Sequence, residues 1–399
     1  MADTAVAASL SILTLNTISH VGLKRLPPDL YAVGPDVGSP DAILVRSQDM
    51  HKIDIPQSVR TIGRAGAGTN NIPVATMSQR GAPVFNAPGA NANAVKELVL
   101  AGMLLAARNL LPAIRFAEGV EGSDEQINKA VEDGKKHFAG IELPNQTLGV
   151  IGLGRIGSLI ADAAIKLGMN VLGYDPEITV DAAWSLPSQV RKAQSIEDVL
   201  RSSDFVTLHV PLLDATRNLI DARRIGLMKK GAVLLNFSRD GIVANDAVIE
   251  ALSAKRLKAY VCDFPSAALK GHPGVVATPH LGASTREAED NCAVMVVDQV
   301  RDYLENGNVR NAVNFPEVVM SRESPFRLGI ANANVPNMVG QISTAMAQAG
   351  LNIHNMLNKS KKDMAYTLVD VDSPVSREVI AKIAAIEGVL AVRYLPART

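Results

Sequence analysis

The stretch from Leu148 to Gly157 constrains this chain more than any other. Four apolar-strand residues, Leu148-Gly149-Val150-Ile151, run into Gly152-Leu153-Gly154-Arg155-Ile156-Gly157 and then into a helix, Ser158 to Leu167. A second strand, Asn170–Tyr174, follows and ends at Asp175. Strand, glycine turn, helix, strand and acid in that succession make half of a dinucleotide-binding unit. Gly152 permits the tight turn, Gly154 lets the backbone approach a pyrophosphate, and Gly157 lets the helix lie close to the strand. Arg155 and Ile156 open the helix, whose free N–H groups and positive dipole end suit phosphates. A carboxylate at Asp175 accepts hydrogen bonds from ribose hydroxyls and repels a 2′-phosphate, so NAD(H) is expected over NADP(H).

The same rhythm continues. Strand candidates Leu148–Gly152, Asn170–Tyr174, Phe205–Val210, Ala232–Asn236 and Ala259–Asp263 alternate with helical stretches, which predicts a parallel sheet with helices on both faces. In the first ninety residues Ala42–Val45, Thr61–Gly63 and Val84–Asn86 read as strands of a smaller α/β unit. From Ala94 to about Gly119 the pattern predicts one long helix. Its broad apolar surface (Val95, Leu98, Val99, Met103, Leu104, Leu105) suits a core or a subunit contact.

The last seventy or so residues read as a separate βαββαβ unit. Leu328–Val335 is a strand, and Met338, Ile342 and Met346 share a helix face closed by Gly350. Leu351–Leu357 and Ala365–Asp372 are strands joined by a polar turn, Asn358 to Asp363. Arg377–Glu387 is a helix closed by Gly388, and Val389–Leu395 is the last strand. Phe315 to Pro325 reads as a linker. The 399 residues suit two or three domains at about 150 residues each.

Composition narrows the function. The 47% apolar and 20% charged content is that of a folded globular chain. Forty basic residues balance forty acidic ones, against bulk attraction to nucleic acid or an anionic membrane. Two cysteines, Cys262 and Cys292, make no disulfide framework and suit a reducing interior. The start, Met1-Ala2-Asp3-Thr4, lacks the basic segment of a signal peptide. The longest uncharged apolar run, Leu98 to Ala107, falls well short of the roughly 20 residues that span a bilayer. A cytoplasmic protein is expected, and no residue pattern suggests a metal site.

Two clusters lie where an open sheet places ligands, beyond the carboxyl ends of strands. Asn236-Phe237-Ser238-Arg239-Asp240-Gly241 follows the strand Ala232–Leu235. A guanidinium there grips a substrate carboxylate through paired hydrogen bonds and polarises a neighbouring carbonyl. Thr278-Pro279-His280-Leu281-Gly282-Ala283 carries the second. Hydride transfer between a secondary alcohol and nicotinamide needs a proton moved at oxygen, which histidine does near neutral pH. Taken singly, an arginine in a turn or an isolated histidine is more often structural.

Together these motifs resemble the D-isomer-specific 2-hydroxyacid dehydrogenase family with a C-terminal ACT domain, from about residue 10 to the end. Arg64 to Asn71 looks like the substrate-side glycine loop, Asn86 to Glu97 the entry to the long interdomain helix, and Leu208-His209-Val210-Pro211 the strand end beside the nicotinamide. The resemblance implies two Rossmann-like doubly wound domains and a ferredoxin-like ACT domain. The first is a discontinuous substrate domain (1–91 and 281–317), the second an inserted NAD domain (92–280), and the ACT domain covers 326–399, with the active site in the cleft. It implies catalysis by Arg239 and His280. Its cofactor contacts are Gly152, Gly154, Arg155, Ile156, Gly157, Asp175, His209, Val210, Pro211, Ser238 and Asp263. Substrate contacts are Arg46, Ser47, Gly66, Gly68 and Asn91.

The implied substrate is a phosphorylated small 2-hydroxy acid, D-3-phosphoglycerate, oxidised to phosphohydroxypyruvate in serine synthesis. Such a ligand needs positive charge beyond Arg239, which Arg46 supplies, with Lys135-Lys136 as another cationic candidate. The implied assembly is a homodimer or homotetramer. L-serine is the implied effector, held by Asn332, Asn334 and Asn352. Other readings are a reductase of 2-oxoglutarate, glyoxylate or hydroxypyruvate, and a non-catalytic NADH-binding regulator.

One departure matters. The family usually carries a glutamate shortly before the histidine, pairing with its imidazole. Here the segment is Cys262-Asp263-Phe264-Pro265-Ser266-Ala267-Ala268-Leu269-Lys270-Gly271-His272, with no glutamate and Ala267 or a neighbour in its slot. Asp263 serving the histidine, a carboxylate from elsewhere, and an unpaired His280 are the three arrangements open. Asn70 and Asp240 also depart from the common aspartate and glycine.

Overall fold

The computed structural model describes residues 10–397. It divides into two compact units, residues 92–285 and residues 1–91 with 286–399.

In the first unit, named by chain order, five parallel strands stand in the order β2-β1-β3-β4-β5. They are β1 (Leu10–Leu15), β2 (Tyr31–Gly34), β3 (Ala42–Val45), β4 (Thr61–Arg64) and β5 (Val84–Phe85). β1 and β2 escaped the sequence reading: neither has the unbroken apolar run of β3, whose four residues are all buried. A parallel strand covered on both faces reads as such a run. Alternation splits the sheet. Ile12 and Leu44 face one core with Val296, Val297 and Val300 of the helix Arg286–Asn306, while Ile43, Val45, Ile62 and Val84 face another with Met50 and Met77.

The carboxyl-terminal sheet belongs to this unit. β13 (Phe326–Ala333), β14 (Ile353–Lys361), β15 (Met364–Val371) and β16 (Val389–Pro396) form an antiparallel sheet ordered β14-β15-β13-β16, the ferredoxin-like arrangement. Leu328, Ile330, Val369 and Val371 pack with Ile342, Met346 and Ile383 of its two helices. The opposite face gives Ala331, Tyr366 and Leu368 to the core that holds Tyr303 and Phe315. The segment read as a linker, Phe315 to Pro325, is irregular backbone, and it is packed: Phe315 and Val318 are wholly buried, and Val318 bridges to Val309. Its prolines signalled irregular backbone, not exposure. The strands β14 and β15 also run through the expected polar turn, leaving Lys362-Asp363 with Lys362 at φ +54°.

The second unit holds a seven-stranded parallel sheet, β12-β11-β10-β9-β6-β7-β8. Its strands are β6 (Thr147–Ile151), β7 (Asn170–Tyr174), β8 (Arg191–Lys192), β9 (Phe205–Leu208), β10 (Ala232–Asn236), β11 (Leu257–Cys262) and β12 (Val275–Ala277). The short edge strands β8 and β12 gave no sequence signal. The order reverses between β6 and β9, the switch point at which such sheets bind ligands. The helix expected over 94–119 is two helices, Ala92–Ala107 and Leu110–Glu118, bent by 67°. Asn109 at φ +51° breaks it. Among the described residues no single helix is long and apolar enough to cross a membrane.

Candidate active site

Parallel strands end on one edge, so the second unit brings its candidate residues to a common rim. At β6 the chain turns sharply: Gly152 has φ +93°, and a Cβ there would stand 2.4 Å from the carbonyl oxygen of His209. A Cβ on Gly157 would stand 2.0 Å from the carbonyl oxygen of Gly152, so the helix Arg155–Lys166 lies against the turn. Gly154 differs. It caps this helix, with nothing within 4 Å of its Cβ position. No protein atom demands glycine there, and the open cradle at a helix N-terminus fits a pyrophosphate. Arg155 and Ile156 form the helix's first turn.

Asp175 is tied to the same turn. One carboxylate oxygen accepts from the Leu153 N–H at 2.8 Å and the other from the Glu177 N–H at 3.0 Å. Across the switch point, the His209 N–H donates to the Ile151 carbonyl at 2.7 Å. The His209 Nε2 lies 2.8 Å from the Thr207 hydroxyl, while its Nδ1 is shielded and has no hydrogen-bond partner among the described residues. Burial pushes its pKa down to about 3, so the ring is neutral at pH 7. Val210, half-buried, and Pro211, exposed, continue from it.

After β10, the Ser238 hydroxyl donates to the Leu208 carbonyl, and the Ser238 N–H donates to the Asn236 carboxamide at 3.2 Å. Asn236 Nδ2 donates to the Arg239 carbonyl at 3.0 Å, so the buried asparagine folds the turn that presents Arg239. The Arg239 side chain is exposed and donates one bond to the Ser238 carbonyl at 2.6 Å. Asp240 is exposed and forms no ion pair with it.

Asp263, 1% exposed, directly follows β11. Its Oδ1 accepts from the Thr278 hydroxyl and the Leu281 N–H, both at 2.7 Å, and its Oδ2 from the Gly282 N–H at 2.7 Å. The His280 N–H donates to the Asp263 carbonyl at 3.1 Å. His280 sits at φ +57° with an exposed ring, edge-on to Phe264 at 5.1 Å. Among the described residues no carboxylate pairs with the imidazole. The three donors on Asp263 speak against its serving as the missing partner.

The substrate-side residues fall in the other unit. Arg46 and Ser47 follow β3, next to β1 at that sheet's own switch point. Asn16 Oδ1 accepts from the Ser47 and Gln48 N–H groups at 3.1 and 2.6 Å, and Arg64 Nε donates to the Arg46 carbonyl at 3.0 Å. The Ser47 N–H is thereby used, leaving its exposed hydroxyl. Arg46 Nη2 meets Glu289 Oε1 at 2.5 Å. A Cβ on Gly66 would lie 2.2 Å from Arg64 Nη1, so a side chain there would displace the Arg64 guanidinium. Gly68 is half-buried, and Asn91 Oδ1 is buried with no hydrogen-bond partner among the described residues. Asn16 and Glu289 escaped the sequence reading because only the fold carries them to Arg46. Lys135 pairs with Glu132 on an exposed surface.

The three asparagines of the carboxyl-terminal sheet differ. Asn334 and Asn352 are exposed, whereas Asn332 is 1% exposed with its Nδ2 bonded to the Ala333 carbonyl.

A family model described as D-isomer specific 2-hydroxyacid dehydrogenase, NAD binding domain, matches residues 110–282. A D-3-phosphoglycerate dehydrogenase of Methanocaldococcus jannaschii is 38% identical over 70% of this chain, which spans about half, 52%, of that protein. Those of Haemophilus influenzae and Escherichia coli K12 are 32% identical over 86% of this chain and 83% of their own length. Among solved structures, NAD+-bound 3-phosphoglycerate dehydrogenase of Entamoeba histolytica aligns with a TM-score of 0.59 at 25% identity, covering 77% of this chain and 99% of that one. D-2-hydroxyisocaproate dehydrogenase aligns at 0.63 and 22%, covering 76% and 100%, a likeness of fold.

Proposed function

The chain belongs to the D-isomer specific 2-hydroxyacid dehydrogenase family, and from that premise we propose that it is an NAD-dependent D-3-phosphoglycerate dehydrogenase. The reaction oxidises D-3-phosphoglycerate to phosphohydroxypyruvate, the entry to serine synthesis. One observation carries the reading: an open glycine cradle, an exposed arginine and an exposed histidine on the carboxyl edge of a single sheet.

Bound NAD+ supplies the hydride acceptor. Arg239 binds the substrate carboxylate and polarises the developing carbonyl. His280 takes the hydroxyl proton as the carbon gives up its hydride, and returns it in the reverse direction. Asp263 contributes by holding the His280 loop, and Arg46 supplies the cation for the distal phosphate. His280 works without a carboxylate partner in this reading.

Regulation and assembly extend the reading. The carboxyl-terminal sheet is an ACT domain that takes L-serine at Asn334 and Asn352, with a coupling of about 1–3 kcal/mol. The chain assembles as an even-numbered homo-oligomer. The helices Leu110–Glu118 and Asp124–Gly134 support this, since neither buries a residue and Leu110, Ile114 and Val131 are exposed. Free, buried Cys262 and Cys292 suit a reducing cytoplasm.

The test is NADH oxidation with phosphohydroxypyruvate against 2-oxoglutarate, glyoxylate and hydroxypyruvate, each with and without L-serine. Preference for phosphohydroxypyruvate, suppressed by serine, is the expected result. Preference for another keto acid removes Arg46 as a phosphate ligand, and no turnover with any of them overturns the enzyme reading.

A further inference from the structure

Arg46 is not waiting free for an anion. Its guanidinium meets the Glu289 carboxylate at 2.5 Å, both side chains being 40% exposed. The backbone beneath it is fixed: the Asn16 carboxamide accepts two N–H groups, Arg64 Nε donates to the Arg46 carbonyl, and Asn71 Nδ2 donates to the Gln48 carbonyl at 2.8 Å. Glu289 is equally well placed. It lies in the first turn of the helix Arg286–Asn306, where free N–H groups favour a carboxylate. The thiol of Cys292, one turn on, is pushed up by burial and drawn down by Arg64 and Arg46, which places both cations at this helix end.

We propose that Glu289 sets the affinity of the distal-phosphate subsite by acting as the resident counter-ion of Arg46. This rests on the reading of Arg46 as the phosphate ligand. An arriving phosphate must displace the carboxylate from the guanidinium or bind beside it against its repulsion. Either way, affinity for every anion at this position is lowered. A half-exposed ion pair is weak enough to be exchanged for a phosphate held by a charge-assisted bond. Glu289 thereby keeps free phosphate from occupying the subsite and eases release of the phosphorylated product.

The test uses Glu289→Gln in the full-length chain, with Glu289→Ala as a second neutral variant, and two probes. One is inorganic phosphate as a competitive inhibitor of NADH oxidation. The other is the ratio of kcat/KM for phosphohydroxypyruvate to that for hydroxypyruvate, which lacks the phosphate. Both variants are expected to bind inorganic phosphate roughly three- to tenfold more tightly and to raise the ratio by a similar factor. In an Arg46→Ala background the gain should shrink to twofold or less. Unchanged or weakened phosphate binding in both variants overturns the proposal, as does an undiminished gain without Arg46. If the wild type shows no preference for the phosphorylated substrate and no inhibition by phosphate, the reading of Arg46 fails and the proposal with it. If the wild type shows both and Glu289→Gln changes neither, the proposal alone fails.

Discussion

Asp263 grips the backbone around His280 and leaves its imidazole alone. Its two oxygens accept three donors, from Thr278, Leu281 and Gly282, and its carbonyl accepts the His280 N–H. His280 is thereby held in a left-handed conformation that a non-glycine residue adopts only when its surroundings enforce it. Asp263→Asn keeps the shape, yet its amide offers one acceptor oxygen for three donors. We expect kcat to fall at least tenfold while the basic limb of the pH–rate profile stays in place. A displaced limb would show that the carboxylate acts on the imidazole directly. Asp263→Ala should also cost about 1–3 kcal/mol in urea unfolding, since buried N–H groups lose their acceptor.

Gly154 and Gly157 should separate binding from folding. At Gly154 an added methyl meets no protein atom. Gly154→Ala should leave the Tm nearly unchanged, while NADH affinity by fluorescence titration drops about tenfold or more, since the methyl enters ligand space. Gly157→Ala forces a methyl to 2.0 Å from the Gly152 carbonyl oxygen. It should lower both Tm and affinity, because the helix must move off the strand. Undiminished NADH affinity in Gly154→Ala would place the pyrophosphate elsewhere.

Asp175 selects between cofactors. Asp175→Ala removes the charge opposed to a 2′-phosphate and frees the Leu153 N–H. The ratio of kcat/KM with NAD+ to that with NADP+ should fall at least tenfold, mostly through loss with NAD+, whose ribose hydroxyls lose their acceptor. An unchanged ratio would mean that discrimination lies outside this residue.

Asp370 is expected to control acid stability. It pairs with Arg327 through two bonds, at 2.6 and 2.8 Å, with neither side chain exposed. Arg327 further donates to the carbonyls of Asn306, Met320 and Ser321. Burial pushes the Asp370 carboxyl up, but the hydrogen bonds from Arg327 and the Glu323 N–H outweigh it, so its pKa lies below the ordinary carboxylate value. A depressed folded-state pKa gives stability that is complete above the unfolded value near pH 4 and is lost as the pH falls through the folded one. Asp370→Asn should cost about 3–5 kcal/mol at pH 7 by leaving Arg327 buried and unpaired. The difference from wild type should narrow below about pH 4. A constant difference down to pH 2 would show that the pair does not titrate with folding.

In the sequence, what is local was legible. A glycine turn between an apolar strand and a helix, followed by a strand and an acid, specifies a βαβ unit because strand, turn and helix signals lie within thirty residues. The βαββαβ order was legible for the same reason, through apolar alternation and the helix-closing Gly350 and Gly388, at φ +71° and +91°. What it left undecided depends on residues far apart in the chain. The break at Asn109 turns on one left-handed residue in an otherwise helical pattern. The burial of Phe315 and Val318 follows from a sheet face that needed a cover. Glu289 meets Arg46 across 243 positions, and the donors to Asp263 come from 15 to 19 positions away. Such pairings leave no periodic trace, because a carboxylate's partner is chosen by where the backbone carries it.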